Sequence, residues 1–438
     1  MAAYRAPFIV AFVLIACFST SFLHLSTLVN FKNPQNDLNV YYTAASLVRN
    51  HQGQNIYSGA DTGEDPQRRQ ADPNTIFATK ARALGIETVH LYVYPPTLAD
   101  LAVPLTFLSI RNASIIWKFS NIALLLSVAL TLIRTLGMRP FGLESLATLA
   151  LVLIFRPSLE ALQFGQITIL LLALETFGMI LYVRGNQGSA ALLFAVASAI
   201  KLTPLIVIVP LIAWRDWKTL RSLAIWVFLI FAGLCLLNGP NVLTNYVQHV
   251  LPAMAGGILD VENRNLSSAL RVFWRDFAPV PSPMWLSGAT KILSLLVIAY
   301  AGWQSQAKRA VTSEYRLSVL ALFLVLSCCL APVAWQHAYV ATIPAIVILL
   351  KRLLDKRLRL AETILFVSFV LSINTGLIGL AQRTGKAALA DLNMMTPLIG
   401  VALVIMQLWR LAADRPRQSK TPEVLRGCPF PGNSQCLR

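Results

Sequence analysis

Apolar runs recur along this chain at lengths near those of membrane-crossing helices, and they limit its fold more than any other feature. They lie near 6–29, 95–110, 113–133, 143–156, 166–183, 188–200, 203–214, 220–238, 287–303, 316–331, 338–350, 361–380 and 393–411. The hydrocarbon core of a bilayer asks for about 20 apolar residues per helix, so several of these runs need tilt or partner helices to cross. With 56% hydrophobic residues, 13% charged residues and a mean hydropathy of +0.62, the sequence describes an all-α polytopic membrane protein. The first run follows Arg5 and resembles a signal peptide, and "LIAC" ending at Cys17 resembles a lipoprotein cleavage box. The apolar stretch continues through "FSTSFLHLSTLV", however, and that length predicts a retained transmembrane helix.

A net charge of +17 would suggest nucleic acid in a soluble chain. Here the Lys and Arg collect in short connectors between apolar runs, which is a topology signal and argues against a nucleic-acid partner. The basic connectors are Arg134 with Arg139, Arg184, Arg215 with Lys218 and Arg221, Lys308 with Arg309, Lys351 to Arg359, and Arg410 to Arg417. Placing them on the cytosolic side puts 156–166, 201–204, 239–286, 331–337 and the balanced 31–92 loop outside. One parity problem remains: 95–133 reads as two helices, whereas this layout allows one crossing there. Either one helix is re-entrant or the Arg134 connector is outside. The six cysteines show no disulfide or zinc spacing, and no Asp-x-Asp or His/Asp ligand cluster stands out in the outer loops, so no metal or other cofactor is expected. Residues 1–414 read as one transmembrane domain and 415–438 as a disordered cytosolic tail.

The 31–92 loop opens with a short helical segment, "NDLNVYYTAASLVRN" (36–50), before the turn-rich "DTGEDPQRRQADPN" (61–74). Asp37, Val40, Tyr41, Ala44 and Val48 share one helix face. Such a helix should lie at the membrane surface with that face inward, aiming the carboxylate at the bundle. The plainer account is a helix-start Asp favoured by the macrodipole.

Other outward stretches hold polar residues that bilayer physics does not require. "YVYPPTLADL" (92–101) starts a helix with two prolines, "FGQITILLLAL" (164–174) starts one with Gly and Gln, and "ASAIKLTPL" (197–205) sets a Lys and a Pro between two short apolar runs. With "NRNLSSALRVF" and "LAPVAWQHAYV", and in this order, these stretches resemble glycosyltransferase family 87, the polyprenol-phosphate-mannose-dependent mannosyltransferases of the GT-C superfamily. The resemblance covers residues 36–340. Its Asn after Gly-Gln is Thr168 here, its loop Gln before Ser is Leu266, and its second His is Ala338.

The resemblance implies a GT-C fold of about 12 transmembrane helices with an amphipathic helix in the first outer loop. It also implies a lipid-phosphate-linked sugar donor, mannose or a related sugar, a glycolipid or glycan acceptor, inversion at the anomeric carbon, and a site on the extracytoplasmic face of the plasma membrane. It makes Asp37 and His337 the catalytic candidates, and Tyr41, Tyr94, Gln166, Lys201, Arg264, Asn265, Ser267 and Trp335 the substrate-binding ones. One carboxylate suffices as general base for such a transfer, because the phosphate is a good leaving group that needs cationic stabilisation and not a second acid. Lys201, His337 and Arg264 could supply it. Against these stand plainer roles: a snorkelling Lys201, a hydrogen-bonded interfacial His337, and a structural, hydrogen-bonded Glu175 in "LLLALETFGMILY". Two other classes compete, a lipid-linked sugar transporter or flippase and a glycan polymerase. No inverted repeat supports the first, and the polymerase would need its long loop late in the chain.

Overall fold

The fold is known from a computed structural model that describes residues 5–22, 25–26, 35–59, 71–256, 262–277, 284–306, 312–375 and 392–413. Within these residues the chain is helical throughout, with no sheet. Six helices are long and apolar enough to cross a membrane. They are α5 (Ile110–Thr135), α11 (Trp217–Asn238), α15 (Met284–Gln304), α16 (Ser313–Leu330), the 336–354 segment that ends in α17 (Ile343–Leu354), and α19 (Met395–Ala413). A seventh crossing comes from α6 (Leu143–Ile154) and α7 (Arg156–Phe164) if this pair, bent by 42°, is one span. Other apolar runs fold as helices of 10–17 residues, among them α1 (Arg5–Ser21), α8 (Thr168–Val183), α9 (Gln187–Ile200) and α18 (Leu360–Asn374). This is a multi-pass membrane protein.

The two helices expected over 95–133 are unequal. The first half breaks into α4 (Pro96–Ala102) and a 3-10 turn at Val103–Phe107, and only α5 is long enough to cross. Prolines at both starts account for the break, since a missing N–H is tolerated in a first helical turn and not inside a helix. One crossing here is what the layout with Arg134 on the cytosolic side requires.

The bundle is organised around α16, which is buried on every side from Leu317 to Cys329 and packs against α8, α17 and α19. A helix apolar all round belongs in such a core. By contrast, α11 exposes Ile225, Phe228, Leu229, Leu236 and Leu237, the surface a lipid-facing helix presents. Gly400 of α19 lets two helices close on each other, because a Cβ there would stand 2.6 Å from Cys329 Sγ and 2.7 Å from the Phe369 ring.

The two ends of the bundle differ in chemistry. At one end the basic connectors pair with acids: Arg352 with Glu314 at 3.8 Å, Lys351 with Asp355 at 2.6 Å, Arg139 with Glu144 at 3.6 Å, and Arg410 with Glu362. The opposite end carries α2 (Asn36–Arg49), α3 (Ile76–Ala83), α4 and the irregular 331–335 segment. Here α2 departs from the expected surface helix. Val40, Tyr41 and Ala44 are buried as expected and Val48 is half-buried, but Leu38, Asn39, Tyr42, Thr43, Ala45, Ser46 and Leu47 are buried too. The reason is that α3, α4 and the 3-10 turn pack on its outer side. The turn-rich 61–74 stretch lies outside the described residues up to residue 70.

The seat of α2 depends on Gly165, the left-handed C-cap of α7 at φ 69°. A Cβ at Gly165 would stand 2.7 Å from Gln35 Cβ and Oε1 and 3.0 Å from Leu38 Cβ. Gly185, after α8, has φ 84° and open space around it. Gly185→Ala is therefore expected to lose only the ~1–2 kcal/mol that a left-handed non-glycine costs, while Gly165→Ala loses that and the contact with α2. Thermal unfolding of detergent-solubilised protein should show the larger fall for Gly165→Ala. Equal falls would mean that α2 tolerates the added methyl.

Candidate active site

Three loops converge where α7 gives way to α8. The left-handed turn at Gly165 is held from α5 by the Trp117 indole N–H, which donates to the Gly165 carbonyl at 2.9 Å. The turn delivers Gln166, buried, to the start of α8, its backbone N–H bonded to the Ala161 carbonyl at 2.8 Å. From α2, the Asp37 carboxylate accepts a 2.5 Å hydrogen bond from Gln166 Nε2. The Tyr41 and Tyr94 hydroxyls donate to Gln166 Oε1 at 3.2 and 3.3 Å and lie 3.2 Å from each other, with their rings edge to face. Tyr94 is fixed by its neighbours: the Tyr57 hydroxyl donates to the Tyr94 carbonyl at 2.7 Å and the Tyr92 hydroxyl to the Pro95 carbonyl at 2.8 Å. With both its acceptor and its donor engaged, the Gln166 amide is locked in the orientation that offers N–H to Asp37. So the Asp37 side chain is spent on another element, and α2 has no side-chain cap at Gln35.

Lys201 is the hub of the charged groups. It closes α9 in an extended conformation (φ −153°, ψ 138°), and Pro204 in the following 3-10 turn keeps the helix from resuming at once. Its ammonium acts electrostatically on Asp37 from α2, Glu175 from α8, Cys328 from α16 and His337 from the 3-10 turn at Gln336–Thr342. His337 is half-buried, its ring edge-on to Phe164 with centroids 6.4 Å apart. Burial pushes the Asp37 carboxyl up to about 6, and the Gln166 hydrogen bond and the Lys201 charge oppose that rise without cancelling it.

The remaining candidates stand apart from this cluster, and two of them, Arg264 and Asn265, hold the 331–337 segment in place. The buried Arg264 guanidinium donates to the Ser372, Ile373 and Thr375 carbonyls at 3.3, 3.1 and 3.3 Å and to Gln336 Oε1 at 2.9 Å. These are orphan carbonyls at the end of α18, where a cation is favoured. Asn265 Nδ2 donates to the Pro332 carbonyl at 2.5 Å, and Ser267 Oγ meets Thr290 Oγ1 at 3.0 Å. Trp335 precedes the turn that bears His337 and is half-buried. Sequence reasoning left Glu175 and Cys328 out of the candidates, yet both face Lys201. The spacing held a signal for Glu175, since Thr168 and Glu175 lie two helical turns apart on one face of α8. Among the described residues, no group of three or more His, Cys, Asp or Glu side chains could hold a metal ion.

Fold and site together define an all-helical membrane protein that gathers a carboxylate, an ammonium and an imidazole at one end of its bundle. The sequence profile of glycosyltransferase family 87 matches residues 92–332, and the chain belongs to that family. The matched region contains Tyr94, Gln166, Lys201 and Arg264, whereas Asp37 precedes it and His337 follows it. Over 261 residues the chain is 24% identical to a polyprenol-phosphate-mannose-dependent alpha-(1-2)-phosphatidylinositol pentamannoside mannosyltransferase of Mycobacterium tuberculosis (strain CDC 1551 / Oshkosh), covering 58% of this chain and 57% of that protein. Over 280 residues it is 26% identical to a polyprenol-phosphate-mannose-dependent alpha-(1-2)-phosphatidylinositol mannoside mannosyltransferase of Mycolicibacterium smegmatis (strain ATCC 700084 / mc(2)155), covering 59% and 61%. The chain thus spans about three-fifths of the length of these curated relatives.

Infrared difference spectra across a pH titration can test the electrostatics of Asp37 without any substrate. A carboxyl band titrating near pH 6 is expected in the parent protein and absent from Asp37→Asn. Gln166→Leu removes a donor to the ionised form, so the same band should titrate at higher pH. A band at the ordinary carboxylate value in the parent would show that Asp37 is well solvated.

Proposed function

We propose that this protein is an inverting glycosyltransferase that moves a sugar, mannose on the pattern of its relatives, from a polyprenyl-phosphate donor to a glycolipid or glycan acceptor. The observation that carries the reading is Asp37, fixed by Gln166 beside the Lys201 charge at one end of the bundle. The acceptor hydroxyl attacks the anomeric carbon and gives its proton to the Asp37 carboxylate. The bond between that carbon and the phosphate oxygen breaks on the opposite face, its electron pair leaving with the phosphate. A carboxylate with an affinity near 6 is largely ionised at neutral pH and basic enough to take that proton. Lys201 is the cation for the leaving phosphate, and a point charge suits an oxygen cluster whose charge grows through the step.

Supporting parts follow from their contacts. Tyr41, Tyr94 and Gln166 orient Asp37, and their hydroxyl and amide edges are the groups nearest to a bound sugar. Arg264 and Asn265 brace the segment that brings Trp335 and His337 to the site, and His337 keeps a ring nitrogen available beside the phosphate. We assign the GT-C architecture to the bundle: the six long helices, the bent pair and the five shorter apolar helices make twelve crossings. By the excess of Lys and Arg in connectors at the opposite end, the site faces away from the cytosol.

Two experiments test the reading. Membranes holding the protein are incubated with radiolabelled polyprenyl-phosphate sugars and the labelled product is identified. The parent should transfer label, with a rate that falls as pH drops through about 6 because Asp37 protonates. Asp37→Asn should lose roughly 10²-fold or more in rate with donor binding largely kept. Transfer by Asp37→Asn at close to the parental rate would remove Asp37 as the base. For the side of the membrane, single cysteines at Asn50 and Arg139 in a cysteine-free background are labelled with an impermeant maleimide in intact cells. Labelling of Asn50→Cys alone is expected, and labelling of Arg139→Cys alone would reverse the orientation.

A further inference from the structure

The pocket beside Lys201 holds a second carboxylate for which the transfer step has no use. Glu175 projects from α8, buried, and its Oε2 is shut off from solvent without a hydrogen-bond partner. The pocket is a small cavity of about 30 Å³. Glu175 and Lys201 line it with Thr168, Thr203, Ser327 and Cys328, and Ala331, Ala334, Ala338 and Ala341 are among its apolar residues. Glu175 Oε2 has no hydrogen-bond partner in this pocket, so a nearby ammonium lowers the cost of burying it. Among the described residues four groups bear on the ammonium from the elements around it: Asp37 from α2, Glu175 from α8, Cys328 from α16 and His337 from the turn before α17. Only the first two are carboxylic acids. Cys328 is committed to a hydrogen bond, its Sγ donating to the Ala338 carbonyl at 3.3 Å.

A base that works by gaining a proton cannot also be a constant counter-charge. When Asp37 takes the acceptor's proton it becomes neutral, and between turnovers it is protonated for part of the time. Lys201 must nonetheless be charged before the donor phosphate arrives, or it can neither attract the phosphate nor stabilise its departure. The carboxylate that meets this need is one that stays out of the proton transfer, faces the ammonium and has an oxygen to spare. We propose that Glu175 is the standing counter-ion of Lys201, a positioning residue that keeps the ammonium protonated and aimed into the site whatever the state of Asp37. No proton or bond changes at Glu175 during transfer. Its place in turnover rests on the transferase reading, whereas its effect on Lys201 does not.

The test reads Lys201 directly. Purified protein in detergent is acetylated with trace acetic anhydride over a range of pH, and the extent of modification of Lys201 is followed by mass spectrometry. Only the neutral amine reacts, so the midpoint reports when Lys201 loses its proton. Glu175→Gln should lower that midpoint by about one pH unit or more, and Glu175→Asp should restore part of it. An unchanged midpoint in Glu175→Gln overturns the proposal and leaves Glu175 a neutral packing group. If Glu175→Gln does not fold, Glu175→Asp decides instead: a lowered midpoint supports the counter-ion and a parental one sinks it. In the transfer assay, Glu175→Gln should raise the donor KM about tenfold and move the alkaline fall in rate to lower pH, and should add nothing to Lys201→Gln. Additive losses would show that Glu175 does not act through Lys201. A parent protein that transfers no sugar would refute the transferase reading while leaving the acetylation result standing.

Discussion

The hydrogen bond from Gln166 to Asp37 joins two parts of the chain that lie 129 positions apart. One is a helix outside the main bundle, and the other is the junction of two bundle helices. An amide that gives its N–H to a carboxylate must have its oxygen satisfied, and here two tyrosines do so. Because those tyrosines come from α2 and from the loop before α4, the single amide ties its own turn to segments 125 and 72 positions away in sequence. The close approach this needs is possible only because residue 165 has no Cβ. Gly165 and Gln166 therefore act as one device: the first admits α2, and the second reads its carboxylate.

A different clamp fixes the other side of the site. The 263–265 turn spends its polar groups on the 332–336 segment: Asn263 Oδ1 accepts from the Ala334 N–H at 2.7 Å, and the Arg264 N–H reaches the Ala334 carbonyl at 2.8 Å. A guanidinium buried with several carbonyl acceptors loses its hydration but regains it as charge-assisted hydrogen bonds, which is the condition for keeping a charge inside protein. The 331–335 stretch is irregular and so could not satisfy its own backbone in a membrane protein, and the Asn-Arg-Asn turn supplies what a helix would. His337 stands where it does because of polar residues more than 70 positions before it.

Much of this was legible in the sequence. The helical runs, the break at Lys201, the basic connectors and the one-sided gathering of Asp37, Tyr41, Gln166, Lys201 and His337 all follow from hydropathy, proline placement and motif order. Where the reading fell short, the cause was tertiary. The short helices of α2 to α4 bury one another, so the outer face of α2 is covered although its pattern alone suggests a wet one. Arg264 looks like a phosphate ligand in sequence because its acceptors lie over a hundred positions away in α18. Glu175 looks structural because its neighbour Lys201 is brought to it by a turn between helices and not by any spacing within one.

The charge arrangement at Asp37 sets how a carboxylate titrates beside a cation. A lysine nearby favours the ionised carboxylate, and so does the Gln166 N–H; together they would leave a weak base held firmly negative. Burial acts in the opposite sense and prevails, which brings the group to about 6. At neutral pH most of these carboxylates are then ionised, yet each is more basic than an exposed aspartate. Gln166 orients the carboxylate, while burial keeps it basic. Orientation and basicity thus have different sources, the Gln166 amide for the first and burial for the second.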